Sequence, residues 1–287
     1  MKRGMVKSAY ISWLKNDKQI FFGVLLICLY MYVISPLILC SDMMKEPLCF
    51  IEPYMVFVGN GFCIPLLVIS FLVTIIDFPD TGGNLAFFLY RCGRRKWYNN
   101  QLIFLMIAIV TFLFLIFLFS LVFTTERSFV ANGWSNTVTN LNNENIEEYK
   151  LLKEKYPLAV TDLSIINHFQ PYNAAAINTI LTIFMLLFHG QIQMCLSLKF
   201  NKSIGCVTSL AVLGIGLLTW AASSKYMWLF PLANSTIGWH YDKLFQETIY
   251  SPLFSFIYML LMNAILYILG LLIIKNKQFY LGGQSYD

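Results

Sequence analysis

The chain has 287 residues, of which 58% are hydrophobic and 12% are charged. Soluble domains have about 25% charged residues, so this composition excludes an ordinary soluble protein and indicates an integral membrane protein. The formal net charge of +5 comes largely from basic residues beside apolar runs, a pattern typical of membrane topology. We therefore expect no nucleic acid among the partners.

Six apolar runs are long enough to cross a bilayer, which takes about 20 helical residues. In lipid a helix satisfies its own backbone hydrogen bonds, so these continuous runs are predicted as helices. The predicted fold is an all-α integral membrane protein with one transmembrane domain over residues 1–287. The six spans are predicted at residues 20–39, 54–76, 102–123, 174–198, 204–222 and 253–274.

Residues 1–19, ahead of the first span, are predicted as an amphipathic helix. Apolar residues share one side at helical spacing, namely Met5, Val6, Ala9, Tyr10, Trp13 and Leu14. Lysine and serine residues lie opposite, and Ile11 breaks the pattern. A basic amphipathic helix with aromatic residues on its apolar side lies in the membrane interface, so Tyr10 and Trp13 are predicted to anchor it at the lipid headgroups. The alternative is a frayed basic leader that only sets topology.

Helix-breaking residues occur in the first two spans. Pro36 lies near the outer end of the first span, and the second contains Gly59-Asn60-Gly61 and Pro65. Membrane helices tolerate such residues when neighbours satisfy the freed backbone groups. They predict kinked helices, which either line a functional path or are ordinary kinks.

The link between the second and third spans carries a basic cluster of Arg91, Arg94, Arg95 and Lys96. A basic cluster beside a span marks the cytoplasmic side. Residues 84–90, ahead of the cluster, are predicted as a short and partly apolar helix that Gly93 can end. We interpret this helix as a docking element for a soluble partner; the alternative is that the link only fixes orientation and contacts anionic lipid.

The charge distribution predicts that both termini are cytoplasmic. In that orientation the cytoplasmic segments hold 13 of the 20 Lys and Arg residues, but only 4 of the 15 Asp and Glu residues. This asymmetry follows the positive-inside rule. The loop at 124–173 and the segment at 223–251 are then extracellular.

Residues 124–173 form the largest segment outside the spans. A short polar helix is predicted at 145–156, ended by Pro157, and a second short element at 161–169. His168 stands alone and is expected to be solvated or locally bonded. Cys40 and Cys49 flank the first outer loop, and whether they form a disulfide is left open, because pairing cannot be deduced from sequence.

Residues 223–251 are unusually aromatic and are broken by Pro231 and Gly238. We predict one or two short re-entrant helices here, in the outer interface belt. His240 and Asp242 are two candidate metal ligands without a third, so no metal site is predicted.

The fourth span carries the polar residues Asn178, His189 and Gln193. Polar groups at membrane depth normally face the interior of a helix bundle. These three either line a translocation path for a substrate or form hydrogen bonds between helices.

Motifs for catalysis are absent from the sequence. There is no phosphate-binding loop of the form G-x-x-x-x-G-K-[ST], no H-E-x-x-H and no G-x-S-x-G. We therefore predict a chain that is not an enzyme, has no catalytic residues and holds no cofactor of its own.

Taken together, the amphipathic start, the six spans, the short helix before Gly93-Arg-Arg-Lys-Trp97 and the aromatic segment before the last span resemble the membrane subunit of type-2 ABC transporters. The resemblance covers nearly the whole chain as architecture. It implies a permease dimer, of two copies or two relatives, bound to separate ATPase subunits that carry ATP and Mg²⁺. It also implies that residues 84–90 are the coupling helix, with the ATPase contacted by Asn84, Leu85, Phe87, Phe88 and Tyr90.

The loop at 124–173 departs from this resemblance, because the usual link between the third and fourth spans is short. We expect an exporter of a peptide, lipid-like or drug-like substrate, in contact with membrane lipid in a bacterial plasma membrane. The alternative is a non-transporting membrane sensor or immunity protein that binds a peptide through the loop; a secondary carrier is a third class.

Overall fold

The computed structural model describes residues 2–79, 89, 92–142, 147–242 and 245–277. The chain is about 79% helical with almost no sheet. Its described strands are β1 (Leu48–Cys49) and β2 (Ser128–Phe129), which pair in parallel. The prediction of an all-α architecture is therefore confirmed.

The N-terminal helix α1 (Lys2–Leu14) precedes a long apolar helical element at Asp17–Met44. This element consists of α2 (Ile20–Leu29), a π-helical turn (Tyr30–Ile34) and α3 (Ser35–Met44). The wide turn comes directly before Pro36, which cannot donate a backbone hydrogen bond. The structure thus accommodates the proline with a π turn inside a continuous helix.

The predicted second span is two helices, α4 (Glu52–Gly59) and α5 (Cys63–Thr74), bent by 83° relative to each other. The bend falls at Asn60, whose backbone is extended, and not at Pro65. Pro65 lies in the first turn of α5, where backbone N–H groups have no carbonyl partner within the helix, so the missing N–H of proline costs no helical hydrogen bond. The predicted kink therefore occurs at Gly59-Asn60-Gly61, where it divides the segment into two helices.

The remaining long helices are α6 (Arg94–Thr124), α10 (Pro171–Lys199), α11 (Lys202–Ala221) and α12 (Pro252–Asn276). In the described residues, five helices are long and apolar enough to cross a membrane, or six if the bent α4–α5 pair is one span. Helix α10 is the central one: 67% of its most apolar stretch is buried, compared with 22% in α12.

Short helices fill the region between α6 and α10. They are α7 (Asn136–Asn140), α8 (Glu147–Lys155) and α9 (Leu163–His168), and the last two lie where short helical elements were predicted. Buried Glu52 holds this region to α4: its carboxylate accepts hydrogen bonds from the backbone N–H of Cys49 (2.9 Å) and from the N–H and hydroxyl of Ser135 (2.6 and 2.8 Å).

The aromatic segment between α11 and α12 contains short 3₁₀ helices at Lys225–Leu229, Ala233–Ser235 and Ile237–His240. Buried polar groups join it to α12, since the Ser255 hydroxyl donates to Asn234 Oδ1 (2.6 Å) and contacts His240 Nε2 (3.1 Å). We call the end of the molecule with this segment and α7–α9 the loop end. The opposite end, with α1 and the link from α5 to α6, is the basic end.

Helix α1 packs its predicted apolar side against α6. Trp13 is only 7% exposed and meets Phe104 edge-on, and the Tyr10 hydroxyl is hydrogen-bonded to Thr111 (3.1 Å). The helix is amphipathic as predicted, but its aromatic residues contact protein. Leu14 and Ile11 are exposed.

All seven cysteines are described, and all are free thiols. Cys40 and Cys49, whose pairing the sequence left open, are both buried, and the Cys49 thiol donates to the carbonyl of Ala131 (3.3 Å).

Candidate functional site

A cavity of about 390 Å³ opens at the loop end, beside the bend between α4 and α5. Its walls come from the bend, the α8–α9 region, the end of α11 and the 3₁₀ helix Ile237–His240. Small-molecule sites are concave and usually about 300–1,000 Å³ in volume. Both its size and its position at a broken helix make this cavity the candidate functional site.

Asn60 forms the wall at the bend. Its side-chain oxygen accepts from the N–H of Phe62 (2.9 Å), which stabilises the bend locally. Its amide nitrogen points to the carbonyls of Pro157, Leu158 and Val160 at 3.4–3.5 Å. One residue therefore joins the broken helix to the loop between α8 and α9.

Aromatic rings form a second wall. Trp220 and Trp239 stack with their ring centroids 4.7 Å apart, and Phe62 meets Trp220 edge-on at 5.0 Å. Gly61 lies against this pair: a Cβ atom at this position would be 2.0 Å from Cζ2 of Trp239. The absence of a side chain at Gly61 is what allows the bend to approach the tryptophans so closely.

Polar groups of the loop form the third wall. Asp162 caps α9 by accepting from the N–H of Ser164 (3.0 Å), and it lies beside Gly238, where an added Cβ would be 3.1 Å from Asp162 Oδ2. Thr161 is 3% exposed, and its hydroxyl has no hydrogen-bond partner. Lys153 also lines the cavity. The site therefore combines a carboxylate, an ammonium, an unsatisfied hydroxyl and two indole rings.

His168, at the end of α9, contacts the aromatic segment between α11 and α12. Its ring stacks on Tyr241 at 4.1 Å, and its Nε2 is hydrogen-bonded to the carbonyl of Gln246 (3.0 Å). The sequence predicted a solvated or locally bonded histidine; in the structure both partners of His168 come from the distant aromatic segment. Among the described residues, no group of three His, Cys, Asp or Glu side chains is placed to hold a metal ion.

Asn178, His189 and Gln193 are all buried in α10 but have different partners. Asn178 accepts from the N–H of Ile237 (3.1 Å). His189 Nδ1 is hydrogen-bonded to Ser209 of α11 (2.9 Å), and Gln193 donates to the carbonyls of Ile76 (3.1 Å) and Lys202 (3.3 Å). None of the three lines the cavity at the loop end, and each one joins α10 to a different part of the chain.

The predicted coupling residues Asn84, Leu85, Phe87, Phe88 and Tyr90 lie outside the described residues. The start of their link is described. Asp77 Oδ2 accepts from Lys18 Nζ (2.5 Å) and from Asn16 Nδ2 (3.1 Å). The hydrogen bond from Lys18 lowers the pKa of Asp77 below its usual value. A small cavity of about 70 Å³ lies beside this junction, between α1, the end of α5 and α6.

Several residues of these sites escaped the sequence analysis. The sequence did not point to Asp162, Thr161 or Trp220 as site residues, and it marked Trp239 only as one of the aromatic residues of 223–251. Asn263, which accepts from Gln191 at 3.0 Å, could have been found as an isolated amide in an otherwise apolar span.

Comparison with family models, with curated protein sequences and with solved structures finds no match to this chain.

Proposed function

We propose that the chain is the permease subunit of an ATP-driven exporter, powered by a separate ATPase that binds at the basic end. The proposal is carried by the junction at the start of the α5–α6 link. There, Asp77 is bonded to Lys18 and Asn16, which lie between α1 and α2. A partner that moves the link would also pull on the first membrane helix.

Two further features support this assignment. The Lys and Arg bias favours a cytoplasmic position for the link, on the side where ATP is available. Helix α1 packs along α6, the helix that follows the link, through Trp13 and Tyr10. The link is thus bordered by elements that contact one another, so a displacement would be shared among them.

The test is capture of the ATPase and coupled hydrolysis of ATP. The purified chain should retain an ATPase subunit encoded beside it, and the Phe87→Ala, Phe88→Ala double variant should release that subunit. Buried aromatic anchors each cost about 2 kcal/mol or more when truncated. The double variant should remain inserted and folded, and its transport-coupled hydrolysis should be lost.

Ile11→Ala provides a matched control, since Ile11 is an exposed apolar residue of α1 at the same end of the molecule. It should leave ATPase binding unchanged. If the double Phe variant binds the ATPase normally, residues 84–90 are not the docking element.

A membrane sensor or immunity protein is the second candidate, and the cavity at the loop end favours it. A sensor needs a ligand site on the loop end but no ATPase. An adjacent sensor kinase without an ATPase, together with failure to capture any ATPase, would support this function over transport.

A further inference from the structure

We propose that the cavity at the loop end binds an organic cation, with Asp162 as its counter-charge and Trp220 and Trp239 as its aromatic wall. This inference concerns binding by the chain alone. It does not depend on ATP-driven export, so either proposal can fail without the other.

The aromatic wall favours a cation. Indole rings attract a cation through their negatively charged faces, and tryptophan is the strongest of the aromatic side chains in this respect. Trp239 is half-buried and stacked on Trp220, so the two rings form a fixed surface. Phe62 extends this surface from the side of the bend.

The carboxylate is placed beside that wall. Asp162 lies close to Gly238, the residue before Trp239, since a Cβ atom added at Gly238 would be 3.1 Å from Asp162 Oδ2. Asp162 uses its other oxygen, Oδ1, to cap α9. Oδ2 is therefore the oxygen that can face a bound cation, which would lie between the carboxylate and the rings.

Thr161 supplies an independent indication that the cavity takes a polar ligand. Its hydroxyl is buried and has no hydrogen-bond partner in the chain, and buried polar groups without partners are uncommon. Because Thr161 lines the cavity next to Asp162, a ligand with N–H or O–H groups would supply the missing hydrogen bond.

Among the described residues, Lys153 is the cationic side chain that lines the cavity, and its ammonium opposes a second positive charge. The segments on this side of the spans hold 11 of the 15 Asp and Glu residues but only 7 of the 20 Lys and Arg residues, and this negative balance favours a cationic ligand. We therefore expect Lys153→Gln to strengthen cation binding.

The test is isothermal titration calorimetry on the full chain in detergent. Two cationic probes distinguish the two kinds of ligand that could carry the charge. Acetyl-trilysine-amide represents a basic peptide, and benzyltrimethylammonium represents a small organic cation. Acetyl-triglutamate-amide and acetyl-trialanine-amide are the anionic and neutral comparisons. At least one cationic probe should bind, and neither comparison peptide should.

Asp162→Asn is the decisive variant, because asparagine also caps helices well and should preserve α9. It should weaken cation binding about tenfold. Glu154→Gln is the matched control, since it also removes one negative charge. Glu154 is an exposed residue of the neighbouring helix α8, and it does not line the cavity. The affinity of this variant for the cationic probe should stay within about twofold of that of the natural chain. Thermal unfolding of each variant checks that the fold is kept.

Trp239→Phe tests the aromatic wall, with Trp228→Phe as its control outside the cavity. Trp239→Phe should weaken binding of the cationic probe by about threefold or more, and Trp228→Phe should leave it unchanged. The proposal is overturned if the anionic peptide binds best, if no cationic probe binds at millimolar concentration, or if folded Asp162→Asn binds cations as the natural chain does.

Discussion

At the scale of single residues, the bend between α4 and α5 depends on side chains that are small or that bond to the backbone. Asn60 satisfies the N–H of Phe62 and faces three carbonyls of the loop. Gly61 leaves room for the ring of Trp239. The bend is therefore specified by local chemistry on one side and by a tertiary contact on the other.

Replacing Gly61 by alanine should destabilise the protein. The added methyl group would overlap Trp239 at 2.0 Å, and overpacking of this kind typically costs about 1–3 kcal/mol. The expected result is a lower midpoint of thermal unfolding in detergent, together with changed tryptophan fluorescence as Trp239 moves.

Gly214→Ala is the control, since an added Cβ in α11 would have nothing within 4 Å. Alanine is the better helix former, so this variant should be as stable as the natural chain or more so. If the two variants unfold alike, the close approach of Gly61 to Trp239 does not matter for stability.

At the scale of elements, α1 is held against α6 by packing. Trp13 and Tyr10 contact α6, and Asn100 of α6 donates to Met5 Sδ (3.5 Å). The apolar side predicted from helical spacing is real, but part of it is covered by the protein itself.

Trp13→Glu should therefore impair assembly far more than Ser12→Glu. The first places a charge in a protein contact that is only 7% exposed, and a buried unpaired charge is strongly unfavourable. Ser12 is exposed on the other side. Yield of monodisperse protein and its midpoint of thermal unfolding measure the difference.

Similar losses in the two variants would show that α1 is not oriented on α6. A further check is Phe104→Ala, which removes the partner ring of Trp13 and should reproduce a milder form of the Trp13→Glu defect.

At the scale of the whole molecule, charge and geometry divide the chain into two ends. The basic end contains α1, the Asp77 junction and the α5–α6 link. The loop end contains the Glu52 contacts, the cavity and the aromatic segment. Buried α10 connects the two, because Asn178 contacts the aromatic segment while Gln193 contacts the residues that follow α5.

Cysteine labelling of intact cells should place the loop end outside and the basic end inside. Val130 is 83% exposed at the loop end, and Arg95 is exposed at the start of α6. In a background in which half-buried Cys28 and Cys92 are replaced by serine, an impermeant maleimide should label Val130→Cys only. Labelling of Arg95→Cys alone would reverse the assigned orientation.

The sequence by itself determined the features that depend on local composition. Apolar length and backbone satisfaction in lipid specify the helices, and Gly59-Asn60-Gly61 marks where the second apolar run bends. The amphipathic side of α1 and the short helices of the loop follow from the same local rules.

Only the tertiary structure decided how the helix breaks and what the break contacts. Glycine and asparagine predicted a kink, but the 83° bend follows from contacts with distant residues: the carbonyls of 157–160 on Asn60 and the ring of Trp239 on Gly61. Glu52 likewise bonds to Ser135, 83 residues later. Periodicity and charge report on residues that are neighbours along the chain, whereas the cavity brings together residues from position 55 to position 246. For this reason the carboxylate and the tryptophans of the cavity form a site only in the folded protein.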